Sequence, residues 1–312
     1  MSWLTEWYME STDKISRLHV CRWLPDDKNV KAVLQLSHGI MEHIGRFDTF
    51  ARFIANNGFA VVGNSILGHG KSASDEPDIG FIAEKDGWNL AVRDMRLLWE
   101  NTSSQYPGQP YFLLGHSMSS FLARTFLIRY QSILTGCILS GTGQQASALL
   151  NAGLIAAGTE RLLFGPRHKS AHLNHLCFGV YNRRIPCCRT PSDWLTRDHG
   201  VVERYMADAV CGFVPSVGLF ADMLGGLKYV GRKKNIAKMR KDLPVLLISG
   251  AEDPVGDYGI GVKKVYKLFR DAGMSDVTLK LYEGARHEVL NETNKEDVWQ
   301  DVLGWMKDRI ER

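Results

Sequence analysis

The sequence predicts an α/β protein: a mostly parallel sheet with helices on both faces, into which a helical cap is inserted. Three observations predict it. Short, continuously apolar runs such as Phe-Ala-Val-Val at 59–62 and Val-Leu-Leu-Ile at 245–248 alternate with amphipathic stretches of helical length, as strands buried on both faces require. The alternation stops at Gly143 and resumes near Asn235. Hydrophobic residues make up 45% and charged residues 23% of 312, which excludes a disordered, collagen-like or coiled-coil chain.

The elements follow in order. Residues 17–24 and 31–37 are β-rich and flank a turn-like segment at 25–29, the pattern of an antiparallel hairpin. An amphipathic stretch at 47–57 precedes a strand at 59–64, a helix at 88–105, a strand at 111–114, a helix at 119–130 and a strand at 137–140. After the insertion come a strand at 244–249, a helix at 261–272, a strand at 277–282 and a final helix from Lys295. The core is therefore expected in two pieces, 1–142 and 236–312, with the cap at 143–235. The cap opens with Leu149, Leu150, Leu154, Ile155, Leu162 and Leu163 at helical spacing.

Charge and cysteine usage bound the partners and the compartment. Thirty-eight basic against 34 acidic side chains leave +4, too thin a surplus to build a nucleic-acid groove. No apolar run reaches the ~18 residues of a membrane span, and Glu6, Glu10 and Asp13 stand where a signal peptide needs a cationic then apolar stretch. A cytoplasmic location is expected. Cys21, Cys137, Cys177, Cys187, Cys188 and Cys211 are scattered apart from one vicinal pair, which suits reduced thiols.

Gly115-His116-Ser117-Met118-Ser119 joins a strand to a helix, the context that holds a serine exposed on a tight turn with small residues on either side. A serine hydroxyl needs a histidine to take its proton, and that histidine needs a carboxylate to fix its tautomer. His287 lies just past the last strand. Asp253 follows the strand at 244–249 and is preferred to Glu252 and Asp257 because Pro254 fixes a turn after it. The order serine, acid, histidine is that of α/β-hydrolases. Oxyanion donors are expected from the N–H of Met118 and, in the loop after the strand at 31–37, from that of Ile40.

Five blocks now resemble one family. They are His38-Gly39-Ile40-Met41-Glu42-His43-Ile44-Gly45-Arg46-Phe47, Leu67-Gly68-His69-Gly70-Lys71-Ser72, the block at 113–119, Gly250-Ala251-Glu252-Asp253-Pro254 and Gly284-Ala285-Arg286-His287-Glu288. Together they resemble the monoacylglycerol lipase and lysophospholipase group of α/β-hydrolases, of the serine aminopeptidase S33 type. The resemblance implies the α/β-hydrolase fold, with Ser117 as nucleophile, Asp253 as acid, His287 as base, and Ile40 with Met118 as oxyanion donors. It also implies that Glu42 and Arg46 help to orient a glycerol-like head group; His116, beside the nucleophile, is a further substrate-binding candidate. Ser119 replaces the usual glycine, and Ile40-Met41 stand where small residues are common, which implies a narrower acyl mouth. The segments 189–198 and 208–213 resemble caps of bacterial members, pointing to a bacterial-type enzyme.

The expected chemistry is cofactor-free hydrolysis of a small-molecule acyl ester, probed against two kinds of rival. One is a short-chain carboxylesterase, thioesterase or aminopeptidase using the same triad; the other is a non-catalytic ligand-binding protein on the same scaffold, which would normally have lost a triad member. His168, His172 and His175, at i, i+4 and i+7 near Cys177, Cys187 and Cys188, suggest a zinc site if one helix carries them, but no Cys-x-x-Cys pair exists, and no metal is expected. Arg161, Arg167, Lys169, Arg183, Arg184 and Arg189 cluster beside Leu162-Leu163-Phe164. The preferred reading turns these apolar residues inward onto the pocket; the alternative is transient contact of the cap with a membrane surface. Trp194, Phe213, Phe220 and Met223 read as cap core, some of them lining an acyl pocket.

Overall fold

In the computed structural model, which describes residues 2–26, 29–131 and 133–311, five strands are buried along their whole length. These are β3 (Ala32–Ser37), β4 (Phe59–Asn64), β5 (Tyr111–His116), β6 (Gly136–Ser140) and β7 (Val245–Gly250). Cover on both faces is why they read as unbroken apolar runs. With β1 (Trp3–Glu10), β2 (Arg17–Leu24) and β8 (Val277–Tyr282) they form one eight-stranded sheet in the order β1-β2-β4-β3-β5-β6-β7-β8. The β1–β2 and β2–β4 pairs are antiparallel and the remaining pairs parallel.

The pleat sends alternate residues to two separate cores. Val33, Leu113, Leu139 and Leu247 face α2 (Gly87–Gln105), α3 (Met118–Arg129) and α9 (Ile260–Asp271). Leu34, Phe112, Ile138 and Ile248 face α1 (Asp48–Ala55) and α10 (Lys295–Ile310). This is the α/β-hydrolase arrangement.

One expectation fails at the sheet's edge. β2 and β3 are not a hairpin, because β4 lies between them; β2 pairs instead with β1 through a turn closed by Ser11 N–H to Ser16 O at 2.8 Å. Residues 27 and 28 of the expected turn lie outside the described residues. β1 is a strand that the sequence pattern does not predict. Its Trp7 and Met9 pack on the first core while Tyr8 and Glu10 are exposed, the alternation of an edge strand, and Trp3 at the strand's start is exposed as well.

Residues 143–236 carry α4 (Ser147–Phe164), α5 (Ala171–Phe178), α6 (His199–Ala207), α7 (Val217–Val230) and the short α8 (Lys233–Ile236), which crosses the expected boundary at 235. Phe220, Leu227 and Val230 of α7 join the first core. Leu150, Gly153, Leu154 and Ala157 form the inward stripe of α4, with Gly153 so close to Leu224 that a Cβ there would come within 3.1 Å of it. The bulky residues point the other way: Leu162 is 87% and Phe164 60% exposed, with Leu149, Ile155 and Leu163 also in solvent. The inward orientation expected for Leu162, Leu163 and Phe164 is therefore wrong, because small residues give α4 its close approach.

Arg124 of α3, fully buried, ties both ends of this segment to the core. It donates to Gly143 O at 2.9 Å, Gln144 Oε1 at 2.9 Å and Val230 O at 3.2 Å. Burial pulls its pKa down to about 9, which still leaves it charged at neutral pH. Among the described residues no helix is long and apolar enough to cross a membrane.

Candidate active site

Ser117 stands between β5 and α3 with φ 52° and ψ −120°, a conformation that side-chain-bearing residues rarely adopt. Backbone bonds hold the turn: Ser117 N–H donates to Ser140 O at 2.9 Å, and Ser120 N–H to Ser117 O at 2.8 Å. Crowding explains the small neighbours. A Cβ on Gly115 would lie 2.3 Å from Ser119 O. Ser119 is accommodated because its hydroxyl is used, donating to His38 O at 2.5 Å and accepting from Ser37 Oγ at 2.8 Å.

The loops after β7 and β8 bring Asp253 and His287 together. Both carboxylate oxygens lie 3.0 Å from His287 Nδ1, and the carboxylate also accepts from Ser249 Oγ at 3.0 Å and Val255 N–H at 2.8 Å. Asp253 is fully buried, whereas its sequence rivals Glu252 and Asp257 are exposed. Burial works against charge on both partners, but their mutual attraction outweighs it. It raises the His287 pKa above the ordinary 6.5 and holds Asp253 below 3.8. With its proton directed to Asp253 from Nδ1, the imidazole presents a lone pair at Nε2, which is buried without a partner. Ser117 and His287 line one small cavity with Ile40, Glu42, His116 and Trp194.

His116 lies beneath the base, its ring centroid 4.8 Å from that of His287 and its Nδ1 3.1 Å from Ser140 Oγ. Burial and then the neighbouring His287 depress its pKa to about 3, so it stays neutral.

The loop after β3 is held from several sides. Gly39 approaches Ser117 so closely that a Cβ on it would lie 3.2 Å from Ser117 Cβ and 2.7 Å from Glu42 Oε1. Gly39 N–H donates to Glu42 Oε1 at 2.6 Å, and His69 Nε2 lies 2.6 Å from Ile40 O. Arg46 donates to Glu42 Oε2 at 2.6 Å and, through both terminal nitrogens, to Glu288 at 2.6 and 2.7 Å. Burial opposes charge on both acids. The bidentate Arg46 nevertheless holds Glu288 at about 2, while burial and the adjacent Glu288 carboxylate raise Glu42. Met118 does not face the cavity with its side chain but opens α3, where the first N–H groups have no intrahelical acceptor.

Sequence reasoning missed Glu288 as the partner of Arg46, although it directly follows His287. The signal was an arginine with one nearby acid, since a buried guanidinium needs its other donors satisfied. Trp194 lies in a buried cluster with Leu195, Tyr205 and Cys211, as its reading as core expects, and its indole also packs 5.1 Å from the His287 ring, while Leu195 O accepts from Glu288 N–H at 2.7 Å. The expected histidine row does not converge. His168 precedes α5, which Ser170 caps, and packs at a tilt against Phe164 with ring centroids 4.8 Å apart, while His172 pairs with Glu160 at 2.7 Å.

The serine aminopeptidase S33 family of hydrolases matches residues 28–294. The chain belongs to that family. Among its relatives, the monoglyceride lipase of Mus musculus is 29% identical over 293 residues, 93% of this chain and 87% of that one. The monoacylglycerol lipase of Mycolicibacterium smegmatis is 27% identical over 289 residues, 91% and 90% of the two chains. A carboxyl esterase from Bacillus coagulans, solved in complex with glycerol, superposes with a TM-score of 0.91 at 25% identity, covering 98% of this chain and 99% of that one.

Proposed function

We propose that this S33 hydrolase cleaves monoacylglycerol-like carboxylic esters through an acyl-enzyme on Ser117. The observation that carries the reading is a buried, unpartnered His287 Nε2 in the cavity that Ser117 lines, with Nδ1 held by Asp253. Ser117 Oγ attacks the ester carbonyl carbon and His287 Nε2 takes its proton. The N–H groups of Ile40 and Met118 hold the oxyanion. His287 then protonates the departing alcohol, and water repeats the sequence on the acyl-enzyme to release the acid.

Glu42 and His116 line the cavity and are assigned to the glycerol hydroxyls, while Arg46 stands behind Glu42 and orients it. A neighbouring cavity of about 380 Å³ shares Met41, Trp194 and Tyr205 with the first and is assigned to the acyl chain, beneath residues 143–235 acting as the cap. Leu162, Leu163 and Phe164 are assigned to a lipid surface. The contact is apolar rather than electrostatic, since Arg167 is paired with Asp78 and Glu84. All six cysteines are free, which supports the cytoplasmic assignment.

The substrate test compares monoacylglycerols, lysophospholipids, short p-nitrophenyl esters and amides on purified enzyme. Monoacylglycerol is expected to give the highest kcat/KM, and Leu162→Glu with Leu163→Glu to slow hydrolysis from phosphatidylcholine vesicles more than hydrolysis of the soluble ester. A preference for amides or for the shortest esters overturns the substrate assignment.

The pH profile tests the base. His287 must be neutral to accept the proton, and its pKa is raised, so kcat/KM is expected to fall as pH drops through a value above 6.5. Asp253, held below 3.8, stays ionised throughout. A flat profile between about pH 5 and 8 removes His287 from this role.

A further inference from the structure

The geometry points to a second site, on the N-terminal edge of the sheet: we propose that Glu6, His19 and Cys21 bind a thiophilic divalent cation of the zinc type. Glu6 of β1 is the cross-strand partner of Cys21 on β2, and His19 lies two residues before Cys21 on the same face. Their ligand atoms lie within 4.8 Å of one another. His19 Nε2 is 3.6 Å from Glu6 Oε2 and 3.9 Å from Cys21 Sγ, and Cys21 Sγ is 3.8 Å from Glu6 Oε1.

These separations are long for hydrogen bonds but close to those of ligands around one ion. Bonds of roughly 2.0–2.3 Å at the tetrahedral angle set neighbouring ligand atoms about 3.3–3.8 Å apart, so a shift of a few tenths of an ångström closes the site. His19 is only 4% exposed, and its Nε2, the atom that faces Glu6 and Cys21, has only these two distant partners, while Nδ1 is unpartnered with or without an ion. A buried imidazole nitrogen held this loosely is costly unless something binds it. One imidazole, one thiolate and one carboxylate, with water in the fourth position, is a zinc-type ligand set rather than a calcium or magnesium one. Lys71 donates to Glu6 Oε2 at 2.8 Å, which leaves Oε1, on the Cys21 side, for the ion. The bound cation staples the β1–β2 hairpin and, through Lys71, the loop that follows β4.

The other cluster of this kind among the described residues, His43 with Asp208 and Cys211, is poorer for a physical reason. His43 Nε2 already meets Asp208 at 2.9 Å, while Nδ1 accepts from Gly45 N–H at 3.2 Å. Binding a metal through Nε2 puts the imidazole proton on Nδ1, where it collides with that donor.

The test uses Co²⁺ and Zn²⁺ on the metal-free full chain, in a Cys187→Ser, Cys188→Ser background that removes the two exposed thiols. One equivalent of Co²⁺ is expected to give a thiolate-to-cobalt charge-transfer band, and Zn²⁺ to displace it and raise Tm. The band is expected to vanish in Cys21→Ser and to persist in Cys211→Ser. Glu6→Gln, at an exposed position that does not threaten folding, is expected to weaken Zn²⁺ binding by at least about tenfold. No band in the parent chain, a band that survives Cys21→Ser, or a band lost only in Cys211→Ser overturns the proposal.

Discussion

Ser117→Ala is expected to lower kcat by about 10⁶, with the residual rate coming from the oxyanion donors and substrate binding. The variant is informative because the serine hydroxyl is not what holds the turn. Ser117 contributes backbone atoms to it, accepting from the N–H and the hydroxyl of Ser120 and donating its own N–H to Ser140 O. Alanine keeps the Cβ and the φ of 52°, so the strain of the turn, of order 1–3 kcal/mol, is the same in both proteins. Thermal unfolding should therefore be nearly unchanged while turnover collapses. Loss of labelling by a fluorophosphonate in the same variant ties the effect to the nucleophile. Purified Ser117→Ala retaining turnover within tenfold of the parent would falsify the acyl-enzyme.

The parallel half of the sheet was legible in the sequence because burial on both faces writes a strand as an uninterrupted apolar run. The three proposed catalytic positions were legible for a related reason. In such a sheet the strands' carboxyl ends lie at one edge, and Ser117 follows β5 directly while Asp253 and His287 lie in the loops just after β7 and β8. What the sequence could not show was pairing across distance. The edge order β1-β2-β4 depends on β4 separating two strands that are neighbours in the chain, and local turn chemistry carries no trace of that. Arg46 and Glu288 meet across 242 positions, so the second carboxylate on that guanidinium was invisible until the chain was folded. On α4 two apolar stripes compete, and hydrophobicity alone favours the bulkier one. The smaller stripe wins because Gly153 and Ala157 let the helix approach α7, leaving Leu162 and Leu163 in solvent.

Asp253→Asn is expected to lower kcat by about 10⁴ while leaving the fold and KM nearly intact. Burial of the carboxylate makes the effect specific. Both Asp253 oxygens stand 3.0 Å from His287 Nδ1, and each also serves the β7 loop, Oδ2 accepting from Ser249 Oγ and Oδ1 from Val255 N–H. An asparagine can keep one of those loop bonds through its carbonyl oxygen. Its amide nitrogen must then donate towards Nδ1, which drives the imidazole proton to Nε2 and removes the lone pair that should receive the Ser117 proton. The same exchange removes the charge that raises the His287 pKa, so whatever activity remains should titrate at lower pH than in the parent. A structural role for Asp253 would instead lower Tm and leave the position of the pH profile in the surviving folded fraction unmoved. A variant with parent-like kcat, or with reduced kcat and an unshifted pH profile, would remove Asp253 from the triad.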